Sequence, residues 1–384
     1  MAERVDLLVV GAGPGGSSAA RVAAEEGVRV LLVEQRPHIG LPVQCAEYVP
    51  VQIVRYAPLP ERCIAQRIHT LHTYLPDGEC SATPAAGYVI DRALFDKTLA
   101  VAAYRAGAQV WTAARAVERT GRRVLVRTGS QAIEVESTVI IGADGPRSTV
   151  GRWIGQTNAA FIDTCQAKVI LSTPHDATAV YFDPMYKGGY GWLFPKGDTA
   201  NVGVGVSRRM GGDPRQGLNH LLERLGIGRA AIVGRTGGLV PSGGTVAHLR
   251  VGEVLLVGDA AGHTHSLTGA GISAAVISGT LAGRAAARAI VTDDLAALDE
   301  YEREWASFMR GPLCHALSQR TCLDQHWSDD PTTLSAVVRQ TWIAFRAYGR
   351  RKGFQRGTNA ESRVCANQPG GGNGPGVSTG QVPP

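Results

Sequence analysis

The chain opens with whole segments alternating in character: an apolar run VDLLVV (5–10), a glycine-rich turn GAGPGG, a small-residue stretch SSAARVAAEEG and a second apolar run VRVLLV (28–33). Short apolar runs bounded by turn residues suit strands buried on both faces, and the alanine-rich stretch between them suits the connecting helix. The same strand-to-glycine junction recurs at STVIIGADGPRSTVGR (137–152) and at EVLLVGDAAG (253–262). Between Thr164 and Pro241 the period changes. QAKVILS, AVYFD, YGWLFP and NVGVGVS alternate residue by residue, which predicts antiparallel strands, and HTLHTY near residue 71 adds one more. After Ala285, LDEYEREWASFM, PLCHALSQRTCLDQH and TTLSAVVRQTWIAFRAYGRR carry apolar residues at helical spacing. From Gln355 on, the chain is rich in Gly, Pro, Ser, Asn and Gln with almost no apolar anchors, so residues 355–384 are expected to be disordered.

Composition narrows the class. With 384 residues, 44% hydrophobic and 19% charged, the chain can bury a sizeable core and holds two or three domains. The apolar runs have strand length, short of the roughly 18–20 residues of a membrane helix, so no transmembrane span is expected. No charged and apolar leader precedes the first strand, which makes the cytoplasm the expected compartment. Seven cysteines without a CxxC pair point to reduced thiols. The net charge of +6 comes from dispersed basic residues, mostly arginines, without a stacking-aromatic motif, so nucleic acid is not the expected partner. A basic surface that attracts an acidic or phosphorylated substrate is the more modest reading.

The first junction carries a dinucleotide fingerprint in full context. Gly11, Gly13 and Gly16 stand between strand and helix, and Glu34 follows the second strand, 23 positions after the first glycine. Gly11 would permit the tight turn, Gly13 the approach of a pyrophosphate and Gly16 the packing of helix on strand, while Glu34 would accept bonds from ribose hydroxyls. The later glycine junctions suit a large cofactor touched by several distant segments.

Four segments in order, namely the fingerprint ending in Glu34, DRALFD (91–96), GADGPRS (142–148) and GDAAG (258–262), resemble FAD-dependent proteins of the para-hydroxybenzoate hydroxylase fold. Within it, PVQCAE (42–47) and YGWLFPKG (190–197) are similar to motifs of the geranylgeranyl reductase family, and the resemblance covers residues 5 to about 290. It implies an α/β fold: a discontinuous Rossmann-like FAD-binding domain (1–65, 91–160 and 250–290), an antiparallel β-sheet substrate domain (66–90 and 161–249) and a C-terminal helical segment (291–354). The implied cofactor is FAD, bound through Gly11, Ala12, Gly13, Pro14, Gly16, Glu34 and Gln35. Asp259 would bond the ribityl chain, and Gly269, Ala270, Gly271 and Ile272 would set backbone amides and a helix N-terminus beside the flavin ring, whose reduced form is anionic. Arg92 would contact flavin or else pair with Asp96 four residues on. Val117 would pack against the adenine. Asp144 would help bind FAD and NAD(P)H, or simply end a buried strand.

The resemblance also supplies active-site candidates. Cys45 would lie beside the flavin ring, or serve as a small buried hydrophobe. Tyr190, Trp192 and Phe194 would share one strand face as the wall of an apolar or aromatic substrate pocket, or form a core stripe. His263 and His265 lack a third ligand for a metal, so no metal is expected; one of the two, with His265 the candidate, would act as acid or base, or both would make plain polar contacts in the loop. Two chemistries suit this scaffold: a flavin C4a-hydroperoxide that hydroxylates an aromatic ring, and hydride transfer to an isoprenoid double bond. CAEYVP departs from the reductases' CAEG, and little chain remains to enclose a long lipid. These departures favour aromatic hydroxylation, with resemblance to the flavin monooxygenases that act on a peptidyl tryptophan in quinohemoprotein amine dehydrogenase maturation. Isoprenoid reduction, flavin-dependent halogenation and a non-catalytic flavin-binding scaffold are the alternatives. The one fingerprint is taken by FAD, so electrons would come from NAD(P)H at a site without a fingerprint or from a separate flavin- or ferredoxin-type reductase.

Overall fold

The structure is a computed structural model and describes residues 3–349; the tail expected to be disordered lies outside the described residues. Along the chain run β1 (Glu3–Val10), α1 (Pro14–Glu25), β2 (Val30–Val33), β3 (Tyr48–Pro50), a hairpin of β4 (Ile64–Tyr74) and β5 (Cys80–Ile90), and α2 (Arg92–Arg105). Then come β6 (Gln109–Trp111), a meander of β7 (Ala114–Thr120), β8 (Arg123–Thr128) and β9 (Gln131–Gly142), and α3 (Thr149–Trp153). The next block is β10 (Phe161–Ile170), β11 (Thr178–Tyr181), β12 (Tyr190–Lys196), β13 (Thr199–Val206), α4 (Pro214–Arg224) and β14 (Ile232–Pro241). The described chain ends with β15 (Arg250–Val251), β16 (Val254–Leu256), α5 (Ile272–Val291), α6 (Asp299–Trp305), α7 (Gly311–Gln325) and α8 (Pro331–Thr341).

The first sheet has the order β15-β16-β9-β1-β2-β6, with β7 and β8 attached through β9. β16, β9, β1, β2 and β6 pair in parallel. Parallel strands covered on both faces need unbroken apolar runs, and Leu7, Leu8, Val9, Leu31, Leu32 and Ile140 are fully buried. α1 and α5 cover one face together and approach closely because small residues meet there: a Cβ on Gly279 would stand 2.0 Å from the Gly15 carbonyl oxygen, and one on Gly283 2.5 Å from that of Ala19. By length and composition α5 reaches a membrane-spanning threshold, contrary to the expectation from the apolar runs. However, 67% of its most apolar window is buried in the protein, so that character serves the core.

The second sheet has the order β14-β10-β13-β12-β11-β4-β5-β3. It is antiparallel except that β11 lies parallel to β4, where only antiparallel pairing was expected. β3 also corrects the expected boundaries: residues 48–50 pair with β5, so they join this sheet and not the first, to which the range 1–65 assigned them. Alternation sorts its two faces. Leu193, Val202 and Val204 pack beneath α4, while Trp192 lies on the other face directly over Gly203, where a Cβ would fall 2.3 Å from the indole. The valine-glycine repeat of NVGVGVS thus builds a core on one side and a flat bed for an aromatic ring on the other.

The last helix is shorter than its pattern predicts. α8 stops at Thr341, and Trp342 turns extended (φ −89°, ψ 141°). Its ring is buried against Phe182 and Tyr190, each at a centroid distance of 5.0 Å, and this tertiary packing overrides helical continuation.

Candidate active site

The carboxyl ends of the parallel strands and the aromatic face of the second sheet enclose one cavity of about 2350 Å³. Its first end is built from the strand-to-helix turns. Gly11 has φ +103°, a conformation side chains rarely adopt, and Gly13 faces open space, with nothing within 4 Å of where a Cβ would be. Gly16 stands behind the wall, where a Cβ would lie 1.8 Å from the Gly11 carbonyl oxygen. No side chain caps α1, so the amides of its first turn are directed toward the cavity. The Ala12 amide donates to Glu34 Oε2 (3.0 Å), which draws the acid over the turn. Gln35 lies next to it on the wall.

The distant half of this end comes from residues 257–272. Asp259 is a half-buried carboxylate bonded by the Thr264 hydroxyl (3.0 Å), and desolvation raises its pKa against the opposing Thr264 bond and the field of Arg92. Residues 269–271 and Ile272, which opens α5, line the wall, and the first turn of that helix also lacks a side-chain cap. Arg92 makes the expected pair, its guanidinium bidentate to Asp96 (3.0 and 2.9 Å), and it also lines the cavity.

Cys45, Tyr190, Trp192 and Phe194 line the other end together. Burial raises the Cys45 thiol's pKa, the Arg92 charge opposing it. The Tyr190 hydroxyl donates to the Thr268 carbonyl (2.6 Å), and burial raises its pKa. The Trp192 indole N–H donates to Gln166 Oε1 (3.1 Å), and Gln166 Nε2 donates to the Cys45 carbonyl (3.2 Å), tying the thiol's loop to the aromatic wall. Trp342 and the buried Arg320 complete this end.

Two expectations are corrected. His265 does not line the cavity: its Nδ1 accepts the Thr268 amide (3.3 Å) and its Nε2 faces the Tyr348 hydroxyl (3.0 Å), so the ring turns to the C-terminal segment. Val117 sits at an irregularity in the β7–β8 ladder, and Ala114, Arg115 and Ala116 take the wall instead. Of the two roles expected of Asp144, the strand-ending one is visible: it lines the wall, and its carboxylate accepts from the Ser148 hydroxyl (2.5 Å) and the amides of Thr149 (2.6 Å) and Val150 (3.1 Å). Sequence reasoning missed Gln166, Trp342 and Arg320, which carry no motif. It also passed over Glu47 and Lys196 inside PVQCAE and YGWLFPKG, where a charged residue closing an otherwise apolar motif was the available signal.

Comparison with known proteins bears on what this arrangement does. Residues 4–184 match a family described as an FAD binding domain, and residues 162–240 match the geranylgeranyl reductase catalytic domain. The chain is 38% identical over 325 residues to a digeranylgeranylglycerophospholipid reductase of Methanothrix thermoacetophila, spanning 79% of this chain and 83% of that one. The crystal structure of a geranylgeranyl bacteriochlorophyll reductase-like protein from Thermoplasma acidophilum is similar at a TM-score of 0.78 and 28% identity, covering 89% of this chain and 97% of that one. A probable FAD-dependent monooxygenase from Pseudomonas aeruginosa shares the fold at a TM-score of 0.65 and 18% identity, covering 87% and 99%. The chain belongs to the geranylgeranyl reductase family of FAD-dependent oxidoreductases.

Proposed function

We propose that this protein saturates carbon–carbon double bonds of an isoprenoid lipid, adding a hydride and a proton across each. The observation that carries the reading is the identity of 38% across most of the chain to an enzyme named for reducing digeranylgeranylglycerophospholipid. It displaces the aromatic hydroxylation favoured by the loop departures, because the monooxygenase likeness, at 18% identity, is one of fold. The cavity supports it: about 2350 Å³ exceeds the roughly 300–1,000 Å³ of a single small-molecule site, leaving room for a dinucleotide and an apolar chain beside it.

The first end fits FAD, since it offers open space at Gly13, uncapped helix N-termini and a half-buried carboxylate with one donor. The α1 amides would meet the pyrophosphate, Glu34 the ribose, Asp259 the ribityl hydroxyls and the start of α5 the ring. When bound and reduced, FAD supplies the hydride. Tyr190, Trp192 and Phe194 hold the chain and exclude water. Cys45 keeps its proton because burial raises its pKa, so Sγ–H is a proton source at the wall. Electrons reach the site from NAD(P)H or from a partner reductase.

The test uses FAD-loaded protein, chemically reduced without oxygen and offered a geranylgeranylated glycerophospholipid. The lipid's mass should rise by two hydrogens per double bond. Unchanged lipid, together with oxygen-dependent hydroxylation of an aromatic compound, would restore the hydroxylase reading. Asp259→Ala should purify with much less FAD, and full flavin content in that variant would contradict the ribityl role.

A further inference from the structure

Glu47 occupies a left-handed backbone conformation, φ +73°, that side chains rarely adopt, and it is only 3% exposed. Its carboxylate collects donors from three elements: Lys196 Nζ at the end of β12 (2.9 Å to each oxygen), Asn201 Nδ2 on β13 (2.8 Å) and the Arg92 amide opening α2 (2.8 Å). Its own amide donates to Cys45 Sγ at 3.2 Å. A buried carboxylate with a full set of donors at a strained position is kept only where the surroundings over-determine it. Here those surroundings join the thiol, the flavin-side arginine and the aromatic strand.

We propose that Glu47, with Lys196 as its counter-charge, is a positioning residue that holds the Cys45 thiol and the start of α2 at the ring end of the cavity, and that it acts through its charge as well as its shape. The inference rests on the FAD placement given under Proposed function. The charged and titratable groups that bear on the thiol are Arg92 on α2, Glu47 on its own loop and Tyr190 on β12. Arg92 and the Glu47 backbone amide make the thiolate easier to form, whereas the charge of the Glu47 carboxylate makes it harder.

The two halves of the pair carry opposite charges, so removing one or the other should shift Cys45 in opposite directions, whereas loosening the loop would have one effect. In FAD-loaded protein without lipid, the rate of Cys45 alkylation by iodoacetamide is followed by site-resolved mass spectrometry at one mildly alkaline pH. Glu47→Gln should speed it by about threefold or more, a fraction of the tenfold that one pKa unit allows. Lys196→Met leaves the carboxylate uncompensated and should slow it comparably, and Lys196→Arg should restore the original rate. Should Glu47→Gln fail to fold, Glu47→Gly accommodates the same φ and should also accelerate the reaction. Acceleration in both the Glu47 and Lys196 variants, or no change in either, overturns the proposal. Because the readout needs no isoprenoid substrate, a protein that reduces no lipid yet shows the opposed shifts contradicts the proposed function alone.

Discussion

His263 is fully buried, its ring stacked on Trp305 with centroids 4.8 Å apart, and neither ring nitrogen meets a protein partner. Burial lowers its pKa to about 3. Burial, with His315 adding to it, lowers that of His265 to about 4. Both folded values lie below the ordinary 6.5, so the folded protein keeps these rings neutral while the unfolded chain binds protons. The stability they leave intact above about pH 6.5 is lost as pH falls toward 4, on the order of a few kcal/mol in total. His263→Phe retains the stack on Trp305 and removes one of these groups. Its melting temperature should fall less between pH 7 and pH 5 than that of the parent; equal slopes would mean His263 is not the acid-sensitive group. His265 bonds Tyr348 and faces away from the cavity, so the acid sensitivity belongs to the fold and not to the chemistry.

At the scale of elements, the contact between α1 and α5 sets the nucleotide end, because both helices aim their first turns at it. Adding one methyl at Gly279 puts carbon against the Gly15 carbonyl and must push the helices apart. Gly279→Ala should cost about 1–3 kcal/mol in thermal or denaturant unfolding and weaken FAD binding in a fluorescence titration; unchanged affinity would uncouple the helix spacing from the site. Much of this architecture was legible in the sequence. Unbroken apolar runs marked the parallel strands, and the alternation in YGWLFP placed three rings on one face. What escaped depends on distant partners. Glu47 makes sense only beside Lys196, 149 positions on, and Trp342 leaves its helix for the rings of Phe182 and Tyr190, far away in the chain. Local irregularity also hid Val117, since one slip in the β7–β8 ladder changes which residue reaches the wall.

For the whole molecule, the aromatic end of the cavity is walled by residues from late in the described chain. Trp342 leans on Phe182 and Tyr190, and Arg320 on α7 reaches the same wall. Trp342→Ala should lower stability by about 3–5 kcal/mol and raise the KM for a long isoprenoid lipid while leaving FAD content intact. An unchanged KM in the folded variant would place the lipid elsewhere in the cavity. The interleaving of the two sheets has a further result. β1 is among the first segments made, yet its neighbour β9 and the helix α5 that covers α1 come from far later in the chain. The fingerprint turn therefore gains its full surroundings only once the chain through Val291, the end of α5, has been made.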